Sequence, residues 1–476
     1  MKSSLRLRDR ARPLHLKTPW SLVALAALAL AGLRPLAAAE SGAPVPRPHV
    51  VLITIDGFPA RMLDDPKTFV PHLRALAAGG VRAEAMVVSS PASTWSNHTT
   101  LVTGVYPRRH SVLPNAVVVR GGPSEPVRME REKTAREMVA VPSLFDLLHQ
   151  DGLTTAGVNW PCTRNSPSID DNFPDTPGML NVTTPRLVQE LVAQHVLRSP
   201  RQSDFAHMEE PGHDVVWTAA ACHLIRTRMP DFMAVHLLAT DELHHAYGPE
   251  SLASYVGLAL ADRFVGDILA AIRVAGQEEN TTVLVVGDHG FASAQRVVQP
   301  NVLLREAGLL KVKRGKVVEA RIQVIALGGS AFVYCTDPAT READKRRAAE
   351  LFAQCEGVAE VIGAERFAEF GLPEAGQGGC GELILRAKPG YAMASSATAE
   401  AVVGPATKET NVGFHGHLAD TPEMNAIFIA RGRGIKAGAK LEVIHNVDVA
   451  PTIMRLLGRD LSAPDGRVLW EILDPR

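Results

Sequence analysis

From residue 49 onward, short unbroken apolar runs alternate with stretches whose apolar positions recur every three or four residues, a pattern that predicts strands exchanging with helices. HVVLITIDG (49–57), TTAGVNW (154–160), DFMAVHLLAT (231–240) and TTVLVVGDHG (281–290) read as buried strands, and AIFIARG (426–432) as another near the end of the chain. PHLRALAAGG (71–80) has Pro71 at a helix start and Gly79 and Gly80 as its stop. VPSLFDLLHQDG (141–152) and VDVAPTIMRLLG (447–458) are helices ended by Gly152 and Gly458. The predicted fold class is therefore α/β, a mainly parallel central sheet with helices on both faces. Between about 301 and 411 the texture changes. SAFVYC and GELILRA read as strands around the helical ADKRRAAELFAQCEG, which predicts a small α+β insert on the main sheet with a glycine-rich tip, GQGGCG.

The amino terminus stands apart. Seven basic residues and one acidic residue precede position 40, so that segment is net +6 and the remainder net −7 within a chain total of −1. Its basic stretch leads into the apolar run Trp20–Leu33 and the small residues Ala37, Ala38 and Ala39, the order of a secretory signal cleaved after Ala39. This predicts a secreted or periplasmic protein with one main domain over 40–476, a retained membrane anchor being the alternative. The run is shorter than the roughly 20 apolar residues of a membrane span. With 46% hydrophobic and 21% charged residues, the chain is neither disordered nor a multi-span membrane protein, and its near-neutral balance gives no nucleic-acid signal. The five cysteines are odd in number and lack a C-x-x-C, so at least one is free or paired between chains; Cys355 and Cys380 are nearest in sequence, and their pairing stays open. Oligomeric state is not legible.

Three predicted strands end in an acid: Asp56, Asp241 and Asp288. The carboxyl ends of strands in a doubly wound sheet share one edge, where ligands bind. Three carboxylates meeting there repel one another and are costly to desolvate unless cations lie between them. His245 follows Asp241 by four residues, His289 follows Asp288 directly, and FHGH supplies His415 and His417. Mixed carboxylate and imidazole donors suit zinc, with manganese or iron as alternatives, and their number implies two ions. SSPASTWSNHTTLVTG (89–104) adds a helix entrance rich in hydroxyls, with Thr94 at the entrance and Ser96 or Asn97 as its cap. Helix amino termini favour phosphate. The residues alone do not choose among Ser93, Thr94, Ser96, Thr99 and Thr100 as nucleophile.

These blocks, LITIDGF, STWSNHTTLVTGVYPRRHSV, TDELHHAYGP, GDHG and FHGH, resemble in order and spacing the nucleotide pyrophosphatase/phosphodiesterase branch of the alkaline phosphatase superfamily, from about residue 48 to 460. The resemblance implies an alkaline-phosphatase-like fold and two zinc ions. Asp56, Thr94, Asp288 and His289 match one zinc shell, and Asp241, His245 and His415 the other, with His415 favoured over His417. Thr94 matches the nucleophile and Asn97 the side chain that steadies a phosphoryl oxygen. Ser96 stands where the family usually has Pro, and His244 where it has Gly. Trp160 falls where a pocket residue suits a base or aryl group, Asn115 is a second pocket candidate, and Arg164 is open between a surface role and a phosphate contact. The implied activity is hydrolysis of phosphate diesters or nucleotide pyrophosphates through a covalent intermediate on Thr94. A phosphomonoesterase or phosphonate hydrolase with the same metals is the alternative within enzymes. A noncatalytic secreted binding protein is the alternative outside them. No sulfatase C/S-x-P-x-R motif occurs in the Thr94 block.

Overall fold

The computed structural model describes residues 47–208 and 210–474, so the signal segment expected at 1–39 lies outside the described residues. The main sheet has eight strands: β1 (His49–Ile55), β2 (Val81–Val87), β3 (Thr155–Pro161), β4 (Asp171–Asp175), β5 (Phe232–Leu237), β6 (Thr281–Val286), β11 (Phe428–Gly432) and β12 (Lys440–His445). Their spatial order is β12-β2-β11-β6-β1-β5-β3-β4, with β1 central. All neighbouring pairs are parallel except those of β11, which runs antiparallel between β6 and β2. The mainly parallel sheet read from the apolar runs is therefore the observed one.

These runs lack polar alternation because both faces are covered. Along β1, Val51, Ile53 and Ile55 enter one core and Val50 and Leu52 the other; β5 and β6 divide their side chains in the same way. One face carries α1 (Pro71–Gly79), α4 (Glu210–Thr227) and α6 (Leu252–Val274). The other carries α2 (Thr94–Thr103), α3 (Leu144–Gln150) and α8 (Val449–Leu456). Helix α3 starts where Ser143 and Asp146 form a reciprocal capping box. The DFMAVHLLAT run is a strand only as far as Leu237. The carboxylate of Asp214 accepts the Leu238 and Ala239 N–H groups and starts α5 (Ala239–Tyr247). No helix among the described residues is long and apolar enough to cross a membrane.

Between β6 and β11 the chain forms a four-stranded antiparallel sheet, order β7-β8-β10-β9, from β7 (Ile322–Ala326), β8 (Ser330–Cys335), β9 (Val358–Gly363) and β10 (Leu383–Ala387). Helix α7 (Arg341–Ala353) covers one face through Ala348 and Phe352. The other face, through Phe332, Tyr334 and Ile384, packs on Leu113, Val127 and Leu418 of the main body. Cys355 lies in the first of these cores and Cys380 in the second, which answers the pairing question: all five cysteines are buried free thiols.

Candidate metal centre and nucleophile

The register of the three central strands sets the site. Ile55 pairs with Leu237 and Thr54 with Val286, so β1, β5 and β6 end level with one another. Asp56 follows β1, Asp288 lies just past β6, and Asp241 occupies the first turn of α5, with His245 one turn on along the same helix face. His289 Nε2 lies 3.3 Å from Asp56 Oδ1 and 3.2 Å from Asp288 Oδ2. His245 Nε2 is 3.4 Å from one oxygen of Asp241, and His415 Nε2 is 3.6 Å from the other. The rings of His289 and His415 stack at 3.9 Å, joining the two halves. Two groups have donor atoms within 4.8 Å of one another, Asp56/Asp288/His289 and Asp241/His289/His415.

Backbone groups aim most of these donors. The Nδ1 atoms of His245, His289 and His415 face the carbonyl oxygens of Gly413, Gly290 and Ala92, which holds each Nε2 lone pair toward the cluster. Asp288 Oδ1 accepts the Gly57 and His289 N–H groups. Gly57 has φ +67°, and a Cβ there would lie 2.6 Å from the Phe291 ring, so glycine is needed at this turn. Phe291 in turn packs against the rings of His245, His289 and His415.

Burial raises the Asp56 carboxyl well above the usual range, with Asp288 and Asp241 adding to the effect, and it raises Asp288 likewise. Burial lowers His245, His289 and His415, which keeps these imidazoles neutral. Asp56 Oδ1, Asp288 Oδ2 and His289 Nε2 are buried with no hydrogen-bond partner. Acceptor atoms converging without a donor among them are costly to bury, and a bound cation removes that cost. The donor set thus fits divalent metal ions.

The helix that opens at Thr94 is tied to both halves. Ala92 O accepts the His415 imidazole, and Thr94 O faces His98 Nδ1 at 2.8 Å, itself 3.6 Å from Asp288 Oδ2. The cap is Ser93, neither Ser96 nor Asn97. Its hydroxyl donates to Leu113 O and leaves the helix entrance without a side-chain cap.

The family described as type I phosphodiesterase / nucleotide pyrophosphatase matches the chain over residues 50–418. The chain belongs to that family. Human ectonucleotide pyrophosphatase/phosphodiesterase family member 1 is 21% identical over 412 residues, covering 86% of this chain and 40% of the human protein. A venom phosphodiesterase of Naja atra is 24% identical over 243 residues, 51% of this chain and 26% of the venom protein. The chain thus spans less than half the length of these relatives. Among solved structures, human ectonucleotide pyrophosphatase/phosphodiesterase 5 superposes with a TM-score of 0.66 at 15% identity, over 90% of this chain and 100% of the other. The murine protein, as an inactive variant in complex with AMP, gives 0.67 at 15%, with the same coverage. This likeness shows a shared fold.

Within this phosphodiesterase family member, several residues sit elsewhere than the motif reading placed them. Asn97 has no hydrogen-bonding capacity left for a phosphoryl oxygen. Its Oδ1 accepts from Ser89 N and Asn446 Nδ2, and its Nδ2 donates to Pro91 O and Ser93 O. Asn115 instead reaches the helix entrance, where its Oδ1 accepts the Trp95 N–H at 3.0 Å. Trp160 is 1% exposed, packs in the sheet core edge-on to His98 and lines a separate cavity of about 320 Å³ with Thr99, Phe145 and Ile169. Trp95, 5% exposed and fixed by Asp175 through its indole N–H, lines a cavity of about 170 Å³ with Val112, Ala116, Glu137, Met138 and Gly379. Arg164 donates to Pro177 O. His417 lies against Gly329, where a Cβ would come within 2.0 Å of its ring, and His244 is buried on the Phe291 edge. The signal for Trp95 and Asn115 was their proximity to Thr94, adjacent in the chain and 20 residues after Trp95.

Proposed function

We propose that this chain hydrolyses phosphate diesters, nucleotide phosphodiesters and pyrophosphates among them, with Thr94 as nucleophile and two zinc ions as cofactors. One observation carries the reading: three carboxylates and three neutral imidazoles meet at one sheet edge beside the helix that opens at Thr94. Asp56, Thr94, Asp288 and His289 would hold one ion and Asp241, His245 and His415 the other. The chemistry such ions supply when bound is Lewis-acid stabilisation of charge on attacking and departing oxygens.

The chain's own residues do the rest. Thr94 Oγ1 attacks phosphorus and forms a P–O bond as the bond to the departing alcohol or phosphate breaks; water then cleaves the threonine ester and restores the hydroxyl. Because Asn115 Oδ1 is anchored on Trp95 N–H, its Nδ2 donor is held beside the nucleophile, where it binds a nonbridging oxygen as charge builds. The cavity at Trp95 receives the second substituent of a diester, and the murine protein of the same fold, solved in complex with AMP, supports a nucleotide as the substrate class. Arg164 donates to Pro177 O, an engagement that favours a diester reading over a monoester one. The basic, apolar and small-residue order of positions 1–39 supports a place outside the cytoplasm.

Thr94→Ala should lower turnover of an aryl phosphate diester by more than about 10³-fold while metal content by elemental analysis stays near that of the parent. Undiminished turnover would refute the nucleophile.

A further inference from the structure

Asp56 differs from its neighbours in how it is aimed. Asp288 and the three imidazoles take their orientation from backbone groups, whereas Asp56 Oδ2 is held by a side chain, His236 Nε2, at 2.9 Å. His236 is fully buried on β5, in register with Thr54 of β1, two residues short of Asp56. With Oδ2 engaged, the other oxygen, Oδ1, is the one turned to His289 Nε2. The contact therefore selects which carboxylate oxygen faces the candidate metal position.

The far side of His236 is built to match. The β3–β4 register shifts between Val158 and Trp160, and the extra residue, Asn159, has φ +53°, a left-handed backbone that asparagine adopts more readily than most non-glycine residues. This bulge brings two groups of Asn159 to His236 Nδ1: the carbonyl oxygen at 3.0 Å and the amide Nδ2 at 3.3 Å. An ionised carboxylate only accepts, so a neutral His236 must present Nε2–H to Asp56 and an unprotonated Nδ1 behind. Only the Nδ2 donor of Asn159 satisfies that nitrogen. A carbonyl alone would hold the proton on Nδ1 and turn a lone pair toward the carboxylate.

We infer that His236, backed by the bulged Asn159, is a positioning residue that orients Asp56 for the metal group it shares with Asp288 and His289. The inference rests on the ligand assignment proposed above. Outer contacts of this kind change metal affinity by about 10- to 100-fold.

The test is a zinc titration of the metal-free full chain against a chromophoric chelator, with the step belonging to the Asp56 group identified as the one lost in Asp288→Ala. His236→Leu should weaken that step by about 10- to 100-fold and leave the other step within about threefold. His236→Gln, which restores an N–H at similar reach, should stay within about threefold of the parent. Asn159→Gly tolerates the positive φ and keeps the carbonyl, so it should weaken the same step by about tenfold through loss of Nδ2 alone. Parent-like affinity in both His236→Leu and Asn159→Gly, equal weakening of both steps, or a His236→Gln loss as large as that of His236→Leu would overturn the inference. If His236→Leu does not fold, Asn159→Gly and His236→Gln decide. A parent chain that takes up no zinc refutes the proposed function instead, and the parent titration separates the two failures.

Discussion

The side chains of Asp56, Asp288 and His289 have no solvent exposure, whereas those of Asp241, His415 and His245 are 9, 11 and 21% exposed. The first group is built from the ends of central strands; the second hangs on a helix face and a loop. Similar donors in dry and partly wetted settings should bind cations with different consequences. In the dry group, burial itself pushes both carboxyls up. Cation binding there is therefore linked to proton loss and to the stability of the central sheet. In the wetter group water screens the charges, and exchange with solvent is easier.

Deleting one acid from each half makes the sharpest comparison. Both Asp288→Ala and Asp241→Ala should lower diester turnover by about 10³-fold or more, because an in-line displacement needs charge compensation at both apical oxygens. They should differ in what remains. Asp241→Ala is expected to retain the buried zinc through dialysis, and Asp288→Ala to keep only the more readily exchanged one, as read by elemental analysis. Equal retention would erase the distinction between the halves.

The two asparagines give the next largest contrast. Asn115→Ala should lower kcat by about 10²- to 10³-fold, with a stability cost of no more than about 1–3 kcal/mol for the single Trp95 N–H it leaves unpaired. Asn97→Ala leaves Ser89 N–H and the Asn446 amide unpaired in the interior, and should cost about 1–3 kcal/mol per stranded group in stability. A stable Asn97→Ala with a purely kinetic defect would return the phosphoryl contact to Asn97.

That pair also shows what the chain's pattern conveys. The apolar runs ending in Asp56, Asp241 and Asp288 were readable because parallel strands covered on both faces carry unbroken hydrophobic stretches, and a level register at β1, β5 and β6 brings their ends together. The four hydrogen bonds of Asn97 were not readable, since one partner, Asn446, is 349 residues away. Trp160 follows an unseen bulge: the register shift at Asn159 turns its indole into the core, and nothing in GVNW announces it. His236 lies inside the run FMAVHL, where a lone imidazole reads as core. The long helix α6 escaped the pattern because exposed Leu252, Val256 and Val274 blur its apolar stripe.

The proton linkage of the dry half has a definite sign. A carboxyl whose folded pKa is raised adds stability that is complete below its unfolded value and is lost as pH rises through the folded value. Asp288 is raised from 3.8 to about 8 by burial first, opposed by the Gly57 N–H and reinforced by Asp241. The melting temperature of metal-free protein should therefore fall between about pH 7 and 8, above the range in which the lowered imidazoles of His245, His289 and His415 act in the opposite sense, and zinc should restore it. Loading zinc near neutral pH should release protons, measurable by calorimetry in buffers of different ionisation enthalpy. A flat profile with no proton release would place the carboxylates in a wetter setting than their burial implies. The smallest effect is expected at Arg164. Arg164→Ala should change the diester-to-monoester ratio of kcat/KM by less than about twofold, and a large rise would give the guanidinium a phosphate contact.

The central claim is that buried acids and neutral imidazoles at one sheet edge hold two cations beside Thr94. A crystal of zinc-loaded protein measured at the zinc absorption edge tests it directly. The account predicts two anomalous peaks, one among Asp56, Asp288 and His289 and one among Asp241, His245 and His415. A fully loaded crystal with no peak at those residues would contradict it.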